Sequence, residues 1–180
     1  DTPPADLWGL MEATMGRYRI TRHIPVPREQ AFRAFTDPHL LVDWMDASAV
    51  TDISGPLDQR GSRYKLVIEG PWWFQSEVIR VAAPHLHEVA GRGRLGAAYR
   101  MVATLEPTDE GTDLSLLTEY TVPLGRLGRW IDRKWIAPKP RTVANREFDR
   151  LVALVSDPTL VPRPKGASKP VEQAAGAVTA

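Results

Sequence analysis

The stretch AAYRMVATLEPTDEGTDLSLLTEY, residues 97–120, decides the fold. In its first half Tyr99, Met101, Ala103 and Leu105 fall on one face and Arg100, Thr104 and Glu106 on the other. Its second half repeats the pattern with Leu114, Leu116, Thr118 and Tyr120. Successive side chains of a strand point to opposite faces, so a period of two with one apolar face marks a half-buried strand. Glu110-Gly111-Thr112 between the halves reads as a turn. Two strands joined this closely form an antiparallel pair. Beyond them the period becomes helical, with Leu124, Leu127, Ile131 and Trp135 in one stripe. Pro138 and Pro140 interrupt it, and Ala144, Phe148, Leu151, Val152 and Val155 resume it, which predicts two helices or one sharply kinked helix.

Upstream of this hairpin, residues 17–26 alternate as a strand, with Tyr18, Ile20, Ile24 and Val26 on one face and Arg22 as the odd member of that face. Pro25 and Pro27 end it, since proline offers no N–H to a ladder. Ala31, Phe32 and Phe35 give residues 28–36 a helical stripe. Asp37 suits an N-cap and Pro38 the first position of a second short helix carrying Leu40, Leu41 and Trp44. Further strands are expected over 47–53, 62–69, 72–82 and 85–91, with Gly91, Gly93 and Gly96 as a loop. The order is strand, two short helices, about six strands and a long terminal helix, which is an α+β domain. A twisted antiparallel sheet curls around whatever covers its concave face, and only the C-terminal helix is long enough to do so.

Composition narrows the functions. The 180 residues carry 43% hydrophobic and 25% charged side chains, a globular balance. A net charge of +1 lacks the basic excess of a nucleic-acid binder. With no cysteine, disulfides, thiolate catalysis and Zn–Cys or Fe–S sites are excluded. No apolar run approaches the roughly 18 residues that cross a bilayer, and no signal peptide is visible. A cytoplasmic location is the expectation, although the chain starts at Asp1 and a trimmed N-terminus fits equally. Residues 1–16 are expected to form an arm, 17–155 the folded domain, and the proline-punctuated 156–180 a disordered tail.

Several short motifs follow one another in a particular order. Ile24-Pro25-Val26-Pro27 leads into Ala31-Phe32, Asp37 and Trp44; Arg60-Gly61-Ser62 opens a strand; Pro84-His85-Leu86, Gly111-Thr112-Asp113-Leu114 and Leu124-Gly125-Arg126-Leu127 follow. In this order the chain, over residues 17–155, resembles the START-like or SRPBCC superfamily of polyketide cyclase/dehydrase and lipid-transport type. It departs from that pattern at Pro25, where alanine is usual before the proline partner, and in the double proline of the final helix. The resemblance implies a helix-grip fold with a curved antiparallel sheet wrapped around the C-terminal helix. It implies an apolar small-molecule ligand, lipid- or polyketide-like, in a cavity between the two, with no cofactor. Fold does not separate carriers from cyclases, aromatases or dehydratases.

The candidate ligand-binding residues are Tyr64, Leu66, Trp72, Phe74, Tyr99, Met101 and Tyr120 on inward strand faces, closed by Trp135 or Phe148 from the helix. Residues alone favour ordinary core here; the resemblance favours a cavity. Arg22 and Ser76 are polar members of apolar alternations that a ligand oxygen could engage, and an inward Arg22 would need a partner such as Glu119. His85 and His87 share a strand side at a spacing that can serve a metal, but a third ligand is not apparent, so a polar outer face is expected and no metal site. The basic run Arg126, Arg129, Arg133, Lys134, Lys139 and Arg141 suits an anionic partner but reads first as a solvated helix face. No nucleotide loop and no nucleophile elbow appear. Three classes therefore stand: a ligand carrier, a cofactor-free polyketide cyclase, aromatase or dehydratase, and a regulatory or co-chaperone-like interaction domain.

Overall fold

The computed structural model describes residues 15–45, 47–68, 73–121 and 139–157, with the backbone alone at Met15, Leu95 and 139–144. Seven strands form one antiparallel sheet in the order β1-β7-β6-β5-β4-β3-β2. They are β1 Met15–Ile24, β2 Ala47–Thr51, β3 Arg63–Ile68, β4 Trp73–Ala82, β5 Leu86–Gly93, β6 Ala98–Thr108 and β7 Gly111–Thr121. Helices α1 Arg28–Thr36 and α2 Pro38–Trp44 connect β1 to β2, and α3 Lys139–Ser156 follows the sheet. This is the α+β arrangement expected from the alternation, in the helix-grip form that the resemblance implies.

The elements start and stop for local reasons. β1 ends at Ile24 because Pro25 follows it. The Asp37 carboxylate accepts the His39 N–H at 2.9 Å and Pro38 takes the first turn, so α2 begins as a capped helix. In α3, Pro140 occupies the first turn, where its missing N–H would have no intrahelical partner, so the helix starts at Lys139, ahead of the Thr142 expected from the double proline. Gly111 opens β7 at φ 151°, and a methyl there would collide with the Ile24 carbonyl. The sequence-based loop at the glycines is corrected: Gly91 and Gly93 lie inside β5, and only Arg94–Gly96 turns, as a short 3₁₀ segment.

One apolar core joins the concave face to the helices. It joins Ile24, Phe32, Phe35, Leu41 and Trp44 to Leu105, Leu114 and Leu116 of the sheet and to Phe148, Leu151 and Val155 of α3. The Trp44 indole N–H donates to the Ala34 carbonyl at 2.8 Å, which satisfies the polar atom of a fully buried ring. Among the described contacts α3 packs mainly on α2, β1 and α1. Gln30 of α1 ties it down by donating to the Val155 carbonyl at 2.7 Å.

The convex face is charged and ordered. Across five strands run Arg17, Glu119, Arg100, Glu88 and Arg80, with ion contacts of 3.5, 3.0, 2.8 and 3.0 Å in turn. The Glu88 side chain is only 4% exposed and that of Glu119 only 11%. Burial works against the charge of Arg100, but hydrogen bonds and fields from both glutamates outweigh it and hold the guanidinium protonated.

Candidate functional site

The strand register gathers the inward candidates. Tyr64, Leu66, Met101 and Phe148 are buried members of the core cluster, and Tyr99 packs against it. Phe74 and Tyr120 are half-buried. Trp72 and Trp135 lie outside the described residues, as do Arg126, Arg129, Arg133 and Lys134 and the side chains of Lys139 and Arg141.

Tyr120 and Tyr99 face each other across β7 and β6. The next partners along this row are Gly16 beyond Tyr120, and Gly91, Ser76 and Tyr64 beyond Tyr99. A methyl at Gly16 would collide with the hydroxyl end of the Tyr120 ring, and one at Gly91 with the Tyr99 ring. The two rings therefore lie down on the sheet in opposite directions, each over the glycine beside it. Phe74 does the same over Gly93, whose added Cβ would stand 2.9 Å from its ring, and meets Tyr99 edge to face at 5.2 Å. Large rings cover the floor of the concave face without standing up from it.

Tyr99 leans far enough to place its hydroxyl 2.8 Å from Ser76 Oγ, and Tyr64 hydrogen-bonds into the same pair. Burial pushes the Tyr64 phenol well up, Tyr99 adds to this, and Ser76 works against it. Burial also raises Tyr99, partly offset by its bonds to Ser76 and Tyr64. On β1, burial raises Tyr18, its bond to Thr118 lowers it, and the Glu147 carboxylate of α3 raises it again. All three phenols are thus held neutral at physiological pH. They can donate or accept hydrogen bonds and can supply a proton, but they are poor bases.

Other polar candidates go elsewhere. No bulge turns Arg22: it stays in register opposite Leu114 and reaches Asn145 at 3.1 Å and Asp149 at 3.6 Å on α3. Glu119, once its candidate partner, is on the opposite face with Arg100. The polar outer face expected for the histidine pair is corrected at His87. It is 2% exposed, packed beside Phe32 and Phe35, with Nε2 donating to the Leu57 carbonyl at 2.8 Å. The placement follows from alternation along β5, where His87 shares a face with Val89 and Gly91. Burial lowers the His87 pKa, partly offset by the Leu57 bond and Asp58, so the ring is neutral. His85 instead contacts Arg28 at 2.9 Å, and His23 contacts Asp113 at 3.1 Å. Among the described residues no three histidines or carboxylates converge as a metal site. His87 sits four residues along the sheet from the hydroxyl row, about 13 Å away, so the two are separate. A groove of about 410 Å³ between residues 25–29 and 107–111 contains none of the candidates.

A sequence model of the polyketide cyclase / dehydrase and lipid transport family matches residues 15–156. The chain belongs to this family. Its fold is shared by solved structures at low identity. A protein from Mesorhizobium loti is 20% identical over 79% of this chain and 99% of its own, with a TM-score of 0.60. One from Chromobacterium violaceum is 20% identical over 78% and 97%, with a TM-score of 0.61. Ara h 8.0201 is 14% identical over 79% and 98%, with a TM-score of 0.55. No curated protein matches the chain. In this family member, no helix among the described residues is long and apolar enough to cross a membrane.

The buried Glu88 escaped sequence reading, and Glu119 entered it only as a partner for Arg22. In retrospect their signal is a glutamate on each of two strands with arginine at position 100 between them, which alternation alone reads as a solvated face.

Proposed function

We propose that the chain binds an apolar small molecule between the concave face of its sheet and α3. The observation that carries this reading is the posture of Tyr99 and Tyr120, laid down over Gly91 and Gly16. Glycine inside a strand costs about 0.5–1 kcal/mol relative to alanine, and these two positions accept it to let the rings lie low. Rings laid over glycine rise less from the sheet, which a ligand above the floor would need. Family membership supports the same reading. In this account Tyr64, Leu66, Phe74, Tyr99, Met101, Tyr120 and Phe148 border the ligand, with Trp72 and Trp135 as sequence-based additions. The test is native mass spectrometry of the purified chain, with extraction of any bound molecule, and titration with the neutral apolar dye Nile red. One bound molecule per chain is expected; no adduct and no saturable dye binding would refute the proposal.

A cyclase or dehydratase reading draws on the neutral phenols. Tyr64 or Tyr99 could donate a proton to a carbonyl oxygen while an oriented substrate folds on itself. Turnover of a poly-β-ketone substrate without cofactor, lost in Tyr99→Phe with binding retained, separates enzyme from carrier.

A further inference from the structure

The connection from β2 to β3, residues 52–62, is exposed along its length except at Leu57 and Ser62, with Gly55 half-buried. Residues of positive φ turn it near both ends, Asp52 at 53° and Gly61 at 84°. The Gly61 N–H donates to the Val78 carbonyl at 2.8 Å, and the Ser62 hydroxyl to the Pro56 carbonyl at 2.6 Å. Between these ends one apolar side chain enters the core, that of Leu57, which is 2% exposed. His87 of β5 holds the same residue through its carbonyl, with Nε2–H donating at 2.8 Å. His87 belongs to the concave face, so Leu57 is seated on that face.

The bond to Leu57 keeps the proton of the neutral ring on Nε2 and leaves Nδ1 a bare lone pair. Nδ1 is buried, with no hydrogen-bond partner among the described residues. A second proton must go there. It would find no acceptor and would bring a charge into the core. The cross-strand neighbours Val81 and Ala103 carry no charge, nor do Phe32 and Phe35 of α1. The charged group felt at the ring is Asp58, an exposed residue of the connection itself, and burial outweighs its attraction.

We propose that residues 52–62 are a proton-released strap, closed while His87 is neutral and detached from the concave face once the ring takes up a second proton. The inference does not depend on what that face binds. One leucine and one ring hydrogen bond hold the middle of the strap, whereas the sheet is held by the whole core, so the strap opens alone. In the open form the ring meets water and accepts its proton at about pH 6.5. In the closed form burial lowers that affinity. Falling pH therefore favours the open form below about 6.5, until the closed form is protonated too. Opening uncovers Leu57, Phe32 and Phe35 at the α1 end of the concave face.

The test is hydrogen exchange of the full chain, read residue by residue by NMR as protection factors at pH 7.5 and 5.5. The amides of Gln59 and Gly61, bonded at 3.1 and 2.8 Å, report on the strap, and those of β6 and β7 on the sheet. At both pH values the strap amides should be at least tenfold less protected than the sheet. Their protection should fall about fivefold further at pH 5.5, since one proton can give at most about tenfold per pH unit. His87→Gln keeps a donor for the Leu57 carbonyl without titrating, so its strap should be equally protected at both pH values. His87→Phe lacks the bond, and its strap should be less protected but equally indifferent to pH. Strap amides as protected as the sheet, strap protection unchanged by pH in the unaltered chain, or a pH response that survives in either variant would overturn the proposal.

Discussion

Gly91→Ala separates an open concave face from a filled one. The substitution adds one methyl group whose position lies 2.9 Å from Ser76 Oγ and collides with the Tyr99 ring. Gly91 does not have the positive φ that would make alanine strained. Alanine in a strand should therefore gain about 0.5–1 kcal/mol over glycine. Against this stands the displacement of Tyr99. If the space above the floor is open, the ring swings up into it and loses its hydrogen bond to Ser76, a cost of about 1 kcal/mol. The two effects nearly cancel, and stability should change by less than about 1 kcal/mol, a Tm shift of a few degrees. The raised ring then occupies ligand space, and Nile red affinity should fall about tenfold or more. If the space is already packed, the ring has nowhere to go, and overpacking costs about 1–3 kcal/mol. Urea denaturation and dye titration of the two proteins decide the matter. A stability loss above about 2 kcal/mol with dye affinity unchanged would refute the open-floor reasoning.

Three other outcomes are expected. Because burial lowers the folded pKa of His87 below its unfolded 6.5, the unfolded chain takes up the proton first; stability is full above that value and falls as pH drops toward the folded pKa. Denaturation from pH 8 to 5 should show this loss, at no more than about 1.4 kcal/mol per pH unit, and His87→Phe should abolish it. Arg100→Met leaves Glu88 and Glu119 buried with only Arg80 and Arg17, so a loss of about 2–3 kcal/mol is expected in the same assay, and a neutral result would mean the outer arginines suffice. Removal of residues 158–180, beyond the end of α3 and of the family match, should leave Tm within a few degrees by calorimetry.

Alternation made the sheet legible because each strand has one apolar face. Tyr99, Met101, Ala103 and Leu105 do share a face with Leu114, Leu116, Thr118 and Tyr120. The Asp37-Pro38 boundary was legible because capping is local chemistry. What stayed hidden depends on partners distant in sequence. Gly91 looks like a loop signal until Tyr99 of the next strand is laid over it. His87 looks like a surface residue until its place in β5, two residues from buried Val89, and the carbonyl of Leu57 put it inside. Arg22 looked like a ligand contact because its real partners, Asn145 and Asp149, lie more than a hundred residues further along. The Tyr64–Tyr99–Ser76 cluster was legible in membership but not in bonding, since the lean of one ring decides it.

The line of alternating charges on the convex face bears on how the chain finds its strand pairing. The sheet grows mostly by neighbouring strands, and a slip of two residues would keep every apolar side chain on the correct face. Hydrophobic burial is therefore nearly blind to that error. Charge is not: moving β6 by two residues would draw Arg100 away from Glu88 and Glu119 at once, leaving two poorly hydrated carboxylates each short of a partner. The arrangement works as a combination lock across five strands, tolerant of nothing but the native alignment. Chains with Glu88 and Glu119 both replaced by glutamine would retain the apolar pattern and lose that proofreading, and misaligned, aggregation-prone sheets would be their characteristic failure during refolding.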